Sequence, residues 1–249
     1  MNKWLLLILF SIVCNQSYSS ALVELNRSED FLIIKSHIVC FGTEASSELC
    51  TKISSDIQTL WSTPSAQIVF EGQSFEVRFE ITSEYLSEEQ SFELAKGNRD
   101  PRINFIRIEN SAPSQADPYD DEEPLPMDTT LYSYVHEIGG NAGFYIKAQV
   151  ASGVSTSSHE FGHLLGLEHP PFYQVPENPH IMLPRYTYDG DSVRILEGIV
   201  DAEMRAVHPL NIASLQIVKL GSQYVLGFLN NAIFDLNGNI RYKKQKDNQ

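Results

Sequence analysis

The residues best spaced for chemistry are His159-Glu160-Phe161-Gly162-His163-Leu164-Leu165-Gly166-Leu167-Glu168-His169. On a helix, residues four apart stand one turn above each other on the same face, so His159 and His163 can offer imidazoles to one ion. Imidazole nitrogen is a preferred ligand of zinc. Glu160 lies too far round the helix to be an obvious third ligand, but near enough to take a proton from a water activated by the metal. Gly166 permits the left-handed backbone that ends a helix, which lets the chain turn and return His169 as the third ligand. Three protein ligands leave a fourth position open, the layout of a catalytic rather than a structural zinc site. A lone histidine carries no such argument. His37, His136, His180 and His208 are therefore read as core or surface residues.

These eleven residues match the extended metzincin zinc signature, H-E-x-x-H-x-x-G-x-x-H. Ile181-Met182, thirteen residues beyond His169, resembles the methionine turn of that family and places Met182 under the metal ligands. Pro170 resembles the serralysin branch, and His-Glu-Phe-Gly-His is common in sequences similar to matrix metalloproteinases. The stretch from Gly140 to Pro170, with Met182-Leu183-Pro184-Arg185, also resembles metallopeptidase domains of bacterial secreted and toxin-associated proteins. The resemblance implies a zinc endopeptidase acting on protein or peptide substrates, with Glu160 as general base and one catalytic Zn2+. It also implies an edge strand for the extended substrate, sought within Leu131 to Val150. Many astacin and serralysin relatives carry a tyrosine two residues after the turn methionine. Pro184 stands there in this chain, which leaves Tyr186 and Tyr188 as oxyanion or substrate candidates beside a plain packing role. Neither hemopexin-like repeats nor glycine-rich calcium-binding nonapeptides follow.

Positioning such a site requires strands and helices around it. Phe31 to Phe41 is β-branched and apolar, a strand. Ser46 to Trp61 sets Leu49, Ile53, Ile57 and Leu60 at helical spacing, with Ser46 or Ser47 as N-cap and Pro64 just beyond. Gln67 to Phe70 and Ser74 to Thr82 read as strands joined by a turn at Glu71-Gly72-Gln73, and Ile103 to Ile108 as a further strand. Leu131 to Ile138 and Phe144 to Val150 resume strand character, and Val154 to Leu165 is the motif helix. A helix is expected within Asp201 to Leu215, and short strands from Gln216 to Tyr242. The expected fold class is α+β: by resemblance, a metzincin-like zincin domain with a mixed twisted sheet, an active-site helix and a methionine turn. Its expected span is 31–215, with 216–249 a small C-terminal β-rich extension.

Ser111 to Thr130 is set apart by Pro113, Pro118, Pro124 and Pro126 among Asp117, Asp120, Asp121, Glu122 and Glu123. Clustered carboxylates could hold Ca2+. The ordered spacing of an EF-hand is missing, which favours a solvated loop.

The chain has 249 residues and a net charge of −14. That charge argues against nucleic acid or an anionic membrane surface as the main partner. Lys3 followed by the apolar run Leu5 to Cys14 and the small-residue site Ser17-Tyr18-Ser19 reads as a secretory signal peptide over 1–19. The run is short of the roughly 20 residues that span a bilayer. A secreted, periplasmic or extracellular location is expected. Anchoring through a lipidated Cys14 is disfavoured by Val13 before it. Cleavage after Ser19 leaves Cys40 and Cys50, read first as a disulfide, second as free structural thiols, and last, for Cys40, as a thiol capping the zinc. Two alternatives to a general peptidase stay open: an exported effector cutting one host protein, and a non-catalytic zinc-containing binding protein. Nothing in the sequence sets the oligomeric state.

Overall fold

The computed structural model describes residues 20–63, 65–111, 132–152, 155–169, 181–182, 186–189, 192–195, 208, 210, 216–226, 232–234 and 240–242. The expected signal segment, nearly all of the acidic loop with its Ca2+ candidates, and most of the helix expected in 201–215 lie outside them.

Two antiparallel strands open the fold: β1 (Ala21–Asn26) and β2 (Phe31–Phe41). The helix α1 (Ser47–Trp61) follows, and the Ser46 hydroxyl accepts the Leu49 N–H at 3.2 Å, satisfying one of the first-turn donors. Next come β3 (Ala66–Phe70) and β4 (Gln73–Tyr85), an antiparallel hairpin whose turn holds Glu71 and Gly72 at φ 48° and 80°. Helix α2 (Glu88–Gly97) was not expected, because its few apolar residues make a weak periodic signal. Its capping box was legible all the same: Ser87 accepts the Gln90 N–H while the Gln90 side chain accepts the Ser87 N–H.

Beyond it lie β5 (Ile103–Glu109), β6 (Tyr134–Val135), β7 (Ala142–Ile146), α3 (Lys147–Ser152) and α4 (Ser155–Leu164). The chain continues through β8 (Tyr186–Asp189), β9 (Ser192–Ile195), β10 (Ile217–Leu220), β11 (Gln223–Leu226), β12 (Ala232–Phe234) and β13 (Ile240–Tyr242). Two expected strands are shorter than the sequence suggested. The Leu131 to Ile138 strand contracts to β6, because the backbone beyond it leaves the sheet and Gly139 N–H donates to the His163 carbonyl at 2.7 Å. The Phe144 to Val150 strand stops at Ile146, where the Ile146 N–H donates to Ser133 Oγ, and Lys147 onward is helical.

The main sheet is mixed and curled, and it forks at Ser36. Along one side β2 pairs in parallel with β4, from Phe31–Glu76 to Cys40–Tyr85. Along the other, Phe31 to Lys35 pair with β1, while His37 to Phe41 pair in parallel with β5. One branch proceeds from β5 to a parallel β7 and ends at β6, antiparallel at the edge. The other runs from β1 to β11 and β10, so Ile217–Leu226 hydrogen-bonds into the main sheet. Between the branches, Ser36 Oγ donates to the Ser20 carbonyl, and Asn104 Nδ2 donates to the same carbonyl at 2.8 Å.

Alternation along β2 sets the two faces. Leu32, Ile34, Ile38 and Cys40 face α1 and α4, meeting Ile53, Ile57, Trp61, Phe161 and Leu164 in the principal core. Each fully buried Ile or Phe contributes about 1.5–3 kcal/mol. Val39 and Phe41 face the other way with Phe105, under α2, where the Phe41 and Phe92 rings meet edge to face at 6.1 Å. Cys40 and Cys50 are joined by a disulfide, Cα atoms 5.8 Å apart, tying the end of β2 to the first turn of α1. That pairing replaces the free-thiol and zinc-capping alternatives. Among the described residues no helix is long and apolar enough to cross a membrane.

Candidate metal centre

Helix α4 is held from below before its histidines are reached. The Trp61 indole N–H donates to the Ser158 carbonyl at 3.0 Å, and its ring packs edge to face on Phe161 at 5.7 Å. His208 supports Trp61 in turn: its ring lies 5.4 Å away, Nε2–H donates to the Trp61 carbonyl at 3.0 Å, and Nδ1 accepts the Leu210 N–H at 3.1 Å. With both nitrogens engaged and the residue buried, His208 is part of the core.

Three of the remaining histidines converge. The Nε2 atoms of His159 and His163 are 3.2 Å apart, His159 and His169 2.9 Å, and His163 and His169 3.0 Å. A point about 2 Å from all three exists just off the plane of that triangle, the distance at which imidazole binds a divalent transition metal. The opposite nitrogens fix the tautomers. His159 Nδ1–H donates to the Ile181 carbonyl at 2.6 Å and His163 Nδ1–H to the Leu167 carbonyl at 2.7 Å. Each of those rings therefore turns an unprotonated Nε2 toward the centre, and backbone carbonyls in this position commonly orient metal-bound histidines. Burial lowers the pKa of His163 against the opposing pull of the Leu167 carbonyl and Glu168. Burial, and then the neighbouring His163, push His169 down to about 4. Neutral imidazole is the ligating form. These three histidines are close enough to hold one metal ion.

The turn that returns His169 is a Schellman motif. Gly166 N–H donates to the His163 carbonyl and Leu167 N–H to the Gly162 carbonyl, both at 3.0 Å, with Gly166 at φ +93°. The last carbonyl of α4, on Leu164, accepts the Ser20 hydroxyl at 2.5 Å. Met182 is buried against the helix at Gly162. A Cβ at Gly162 would overlap Met182 Sδ and come within 3.0 Å of the Trp61 ring, so glycine is what admits the thioether there. The residue before Met182 supplies the carbonyl that orients His159, so the 181–182 segment both fills the underside of the site and aims a ligand.

Glu160 is 8% exposed, next to His159 on α4. Tyr145 on β7 is fully buried, its hydroxyl has no hydrogen-bond partner, and the negative charge of Glu160 reaches it. Tyr186 and Tyr188 are on β8, their side chains outside the described residues, as are Pro170, His180 and Pro184. His37 lies on the opposite sheet face between Thr82 Oγ1 at 2.8 Å and Glu84 Oε1 at 3.2 Å. His136 follows β6, its ring 5.2 Å from Tyr134, and burial pushes it down to about 4.

Sequence reasoning missed Trp61, Gly162 and Tyr145. Only Gly162 left a trace, as the small residue inside the motif. Comparison with known proteins finds no matching family model and no matching curated protein.

Proposed function

We propose that this chain is a zinc-dependent endopeptidase of the metzincin type. The observation that carries the reading is the convergence of three Nε2 atoms within 3.2 Å, two of them aimed by backbone carbonyls, beside the carboxylate-bearing residue Glu160. Zinc fits this donor set: it prefers neutral imidazole, and three protein ligands leave one position for water or substrate. His159, His163 and His169 would hold it. The ion would supply a Lewis acid for the scissile carbonyl and lower the pKa of a water.

Glu160 does the proton work in this reading. A carboxylate oxygen takes the proton of the attacking water and passes it to the leaving amine nitrogen. Its position one residue from His159 would keep it beside an ion held by the three histidines, while its angular offset would keep it from being a ligand. Gly162 and Met182 keep the helix seated, and Gly166 turns the chain so that His169 closes the ligand set. Among the described residues β6 is the last strand on its side of the sheet, and it lies within the stretch where the family resemblance puts an extended substrate, whose main chain such an edge can recognise with little side-chain preference. The disulfide supports an exported location, because such bonds persist in oxidising compartments.

The test is zinc content and chelator-sensitive cleavage of an unfolded protein, with wild type and Glu160→Ala side by side. About one zinc in both and turnover in wild type alone is expected. Cleavage by a clean Glu160→Ala preparation would overturn the role given to Glu160. Zinc in both with no cleavage of generic substrates would move the narrow effector and the binding protein ahead.

A further inference from the structure

Three small polar residues occupy the point where the main sheet forks. Ser20, Ser36 and Asn104 are all buried, in positions that apolar residues usually fill. The Ser20 carbonyl accepts the Ser36 hydroxyl at 3.0 Å and Asn104 Nδ2–H at 2.8 Å, and Asn104 Nδ2 also lies 2.8 Å from Ser36 Oγ. The Ser20 N–H donates to the Leu226 carbonyl on β11 at 3.0 Å. Both backbone polar groups of Ser20 are thus engaged in the sheet. Its hydroxyl reaches out of the sheet to the carbonyl of Leu164, the last residue of α4, at 2.5 Å, with the Leu226 carbonyl farther off at 3.4 Å.

The last carbonyls of a helix have no partner within it. In α4 the Schellman turn takes up those of Gly162 and His163. That of Leu164 is satisfied by Ser20, from the β1 side of the fork. The His163 carbonyl receives a second donor, the Gly139 N–H at 2.7 Å, from the segment between β6 and β7 on the other side. The end of α4 is therefore pinned to both branches of the sheet at two consecutive residues. One of them is His163, and the turn that follows delivers His169.

We propose that Ser20 is a positioning residue for the metal centre, its hydroxyl fixing the end of α4 and with it the spacing of the His163 and His169 imidazoles. This inference rests on the zinc reading for its effect on the metal, while the contact itself is present without one. Ser20 acts through Leu164. An alanine at position 20 would leave the Leu164 carbonyl without its donor, a cost that the chain relieves by shifting the last turn of the helix. Two of the three histidines depend on that turn, and loosening what orients a ligand weakens a metal site without abolishing it.

The experiment sets wild type beside Ser20→Ala and Ser36→Ala. Ser36→Ala removes a hydrogen bond from the same buried cluster but none from α4, so it reads the cost of disturbing the fork alone. Competition with a zinc chelator should show binding weakened roughly 10-fold by Ser20→Ala and unchanged by Ser36→Ala. In the metal-free proteins, the Leu165, Gly166 and Leu167 amides should exchange roughly 10-fold faster in Ser20→Ala alone, with the amides of β2 as internal reference. Wild-type zinc affinity in Ser20→Ala, or an equal loss in both variants, would overturn the proposal, as would unchanged exchange at the turn. If wild type itself takes up no zinc, the metal reading fails alone, and the exchange comparison still decides whether Ser20 holds the end of α4.

Discussion

Trp61, the last residue of α1, donates its indole N–H to the carbonyl of Ser158, the residue immediately before His159, the first of the three convergent histidines. Through this bond the end of one helix fixes the height of another at the turn that carries His159 and Glu160. Trp61→Phe keeps most of the packing and removes the donor. The expected loss is about 1–3 kcal/mol from the missing bond and the small void. Zinc affinity should weaken with it, because the ligand helix is no longer held in place. Chemical denaturation together with competition against a zinc chelator measures both. A variant with wild-type zinc affinity would detach this bond from the site.

Gly162 and Met182 make a second reciprocal contact. In an ordinary helix, Gly→Ala stabilises by about 1 kcal/mol through propensity. Here the added methyl would overlap Met182 Sδ and crowd Trp61, so the sign should reverse, with a loss of about 1–3 kcal/mol from overpacking. Shortening Met182 should return part of it. The Gly162→Ala, Met182→Ala cycle is therefore expected to be non-additive, the double variant being more stable than the sum of the singles.

His136, which is not one of the three convergent histidines, supplies a pH dependence of its own. Burial lowers its pKa from 6.5 to about 4, so the folded protein binds this proton less readily than the unfolded chain. Between pH 6.5 and about 4 the unfolded state holds more protons, and stability rises with pH across that window. The contribution is fully present above pH 6.5 and is lost as the pH falls toward 4. Its size is on the order of 2 kcal/mol. His136→Gln should flatten the acid limb of Tm against pH. An unchanged limb would assign the acid sensitivity to other groups.

The disulfide yields a simpler expectation. Cys40 and Cys50 are separated by ten positions, so their bond closes a short loop. Loop-closure entropy gives about 2–3 kcal/mol for that length. The Cys40→Ala, Cys50→Ala variant should melt correspondingly lower in non-reducing buffer and be indifferent to reductant, whereas wild type should fall toward it when reduced.

Periodic and local signals in the chain were legible. β2 begins and ends where its apolar alternation does, and the Ser46 cap and the Gly166 stop follow from local chemistry that needs no distant partner. The convergence of His159, His163 and His169 was legible because helix geometry and one glycine determine it. What could not be read depends on contacts remote in sequence. Trp61 meets Ser158 across 97 positions, and Tyr145 becomes noticeable only once its hydroxyl is known to be buried and unpaired. Strand β1 and helix α2 were missed for a related reason. Both are short, and what holds them is pairing with β2 and β11 or packing on Phe41, more than any strong pattern of their own.

The arrangement of the three imidazoles carries its own prediction about metal removal. With Nδ1 protonated on His159 and His163, their Nε2 lone pairs point at each other across 3.2 Å, and His169 Nε2 joins them at 2.9 and 3.0 Å. Unshared lone pairs repel at such distances, and with the pKa of His163 lowered and that of His169 pushed down to about 4 the metal-free protein has to turn a ring aside, giving up a carbonyl contact or opening the site. Binding that favours the folded state adds RT ln(1 + [L]/Kd), about 4 kcal/mol at a thousand-fold excess over Kd. Chelation should therefore lower Tm by several degrees and re-addition of zinc should restore it. His169→Ala should shrink that difference, because two ligands from one helix bind far more weakly than three. His37→Ala, on the opposite face of the sheet, should leave the difference intact. A metal-dependent Tm that survives the loss of His169 would show that the ion binds elsewhere.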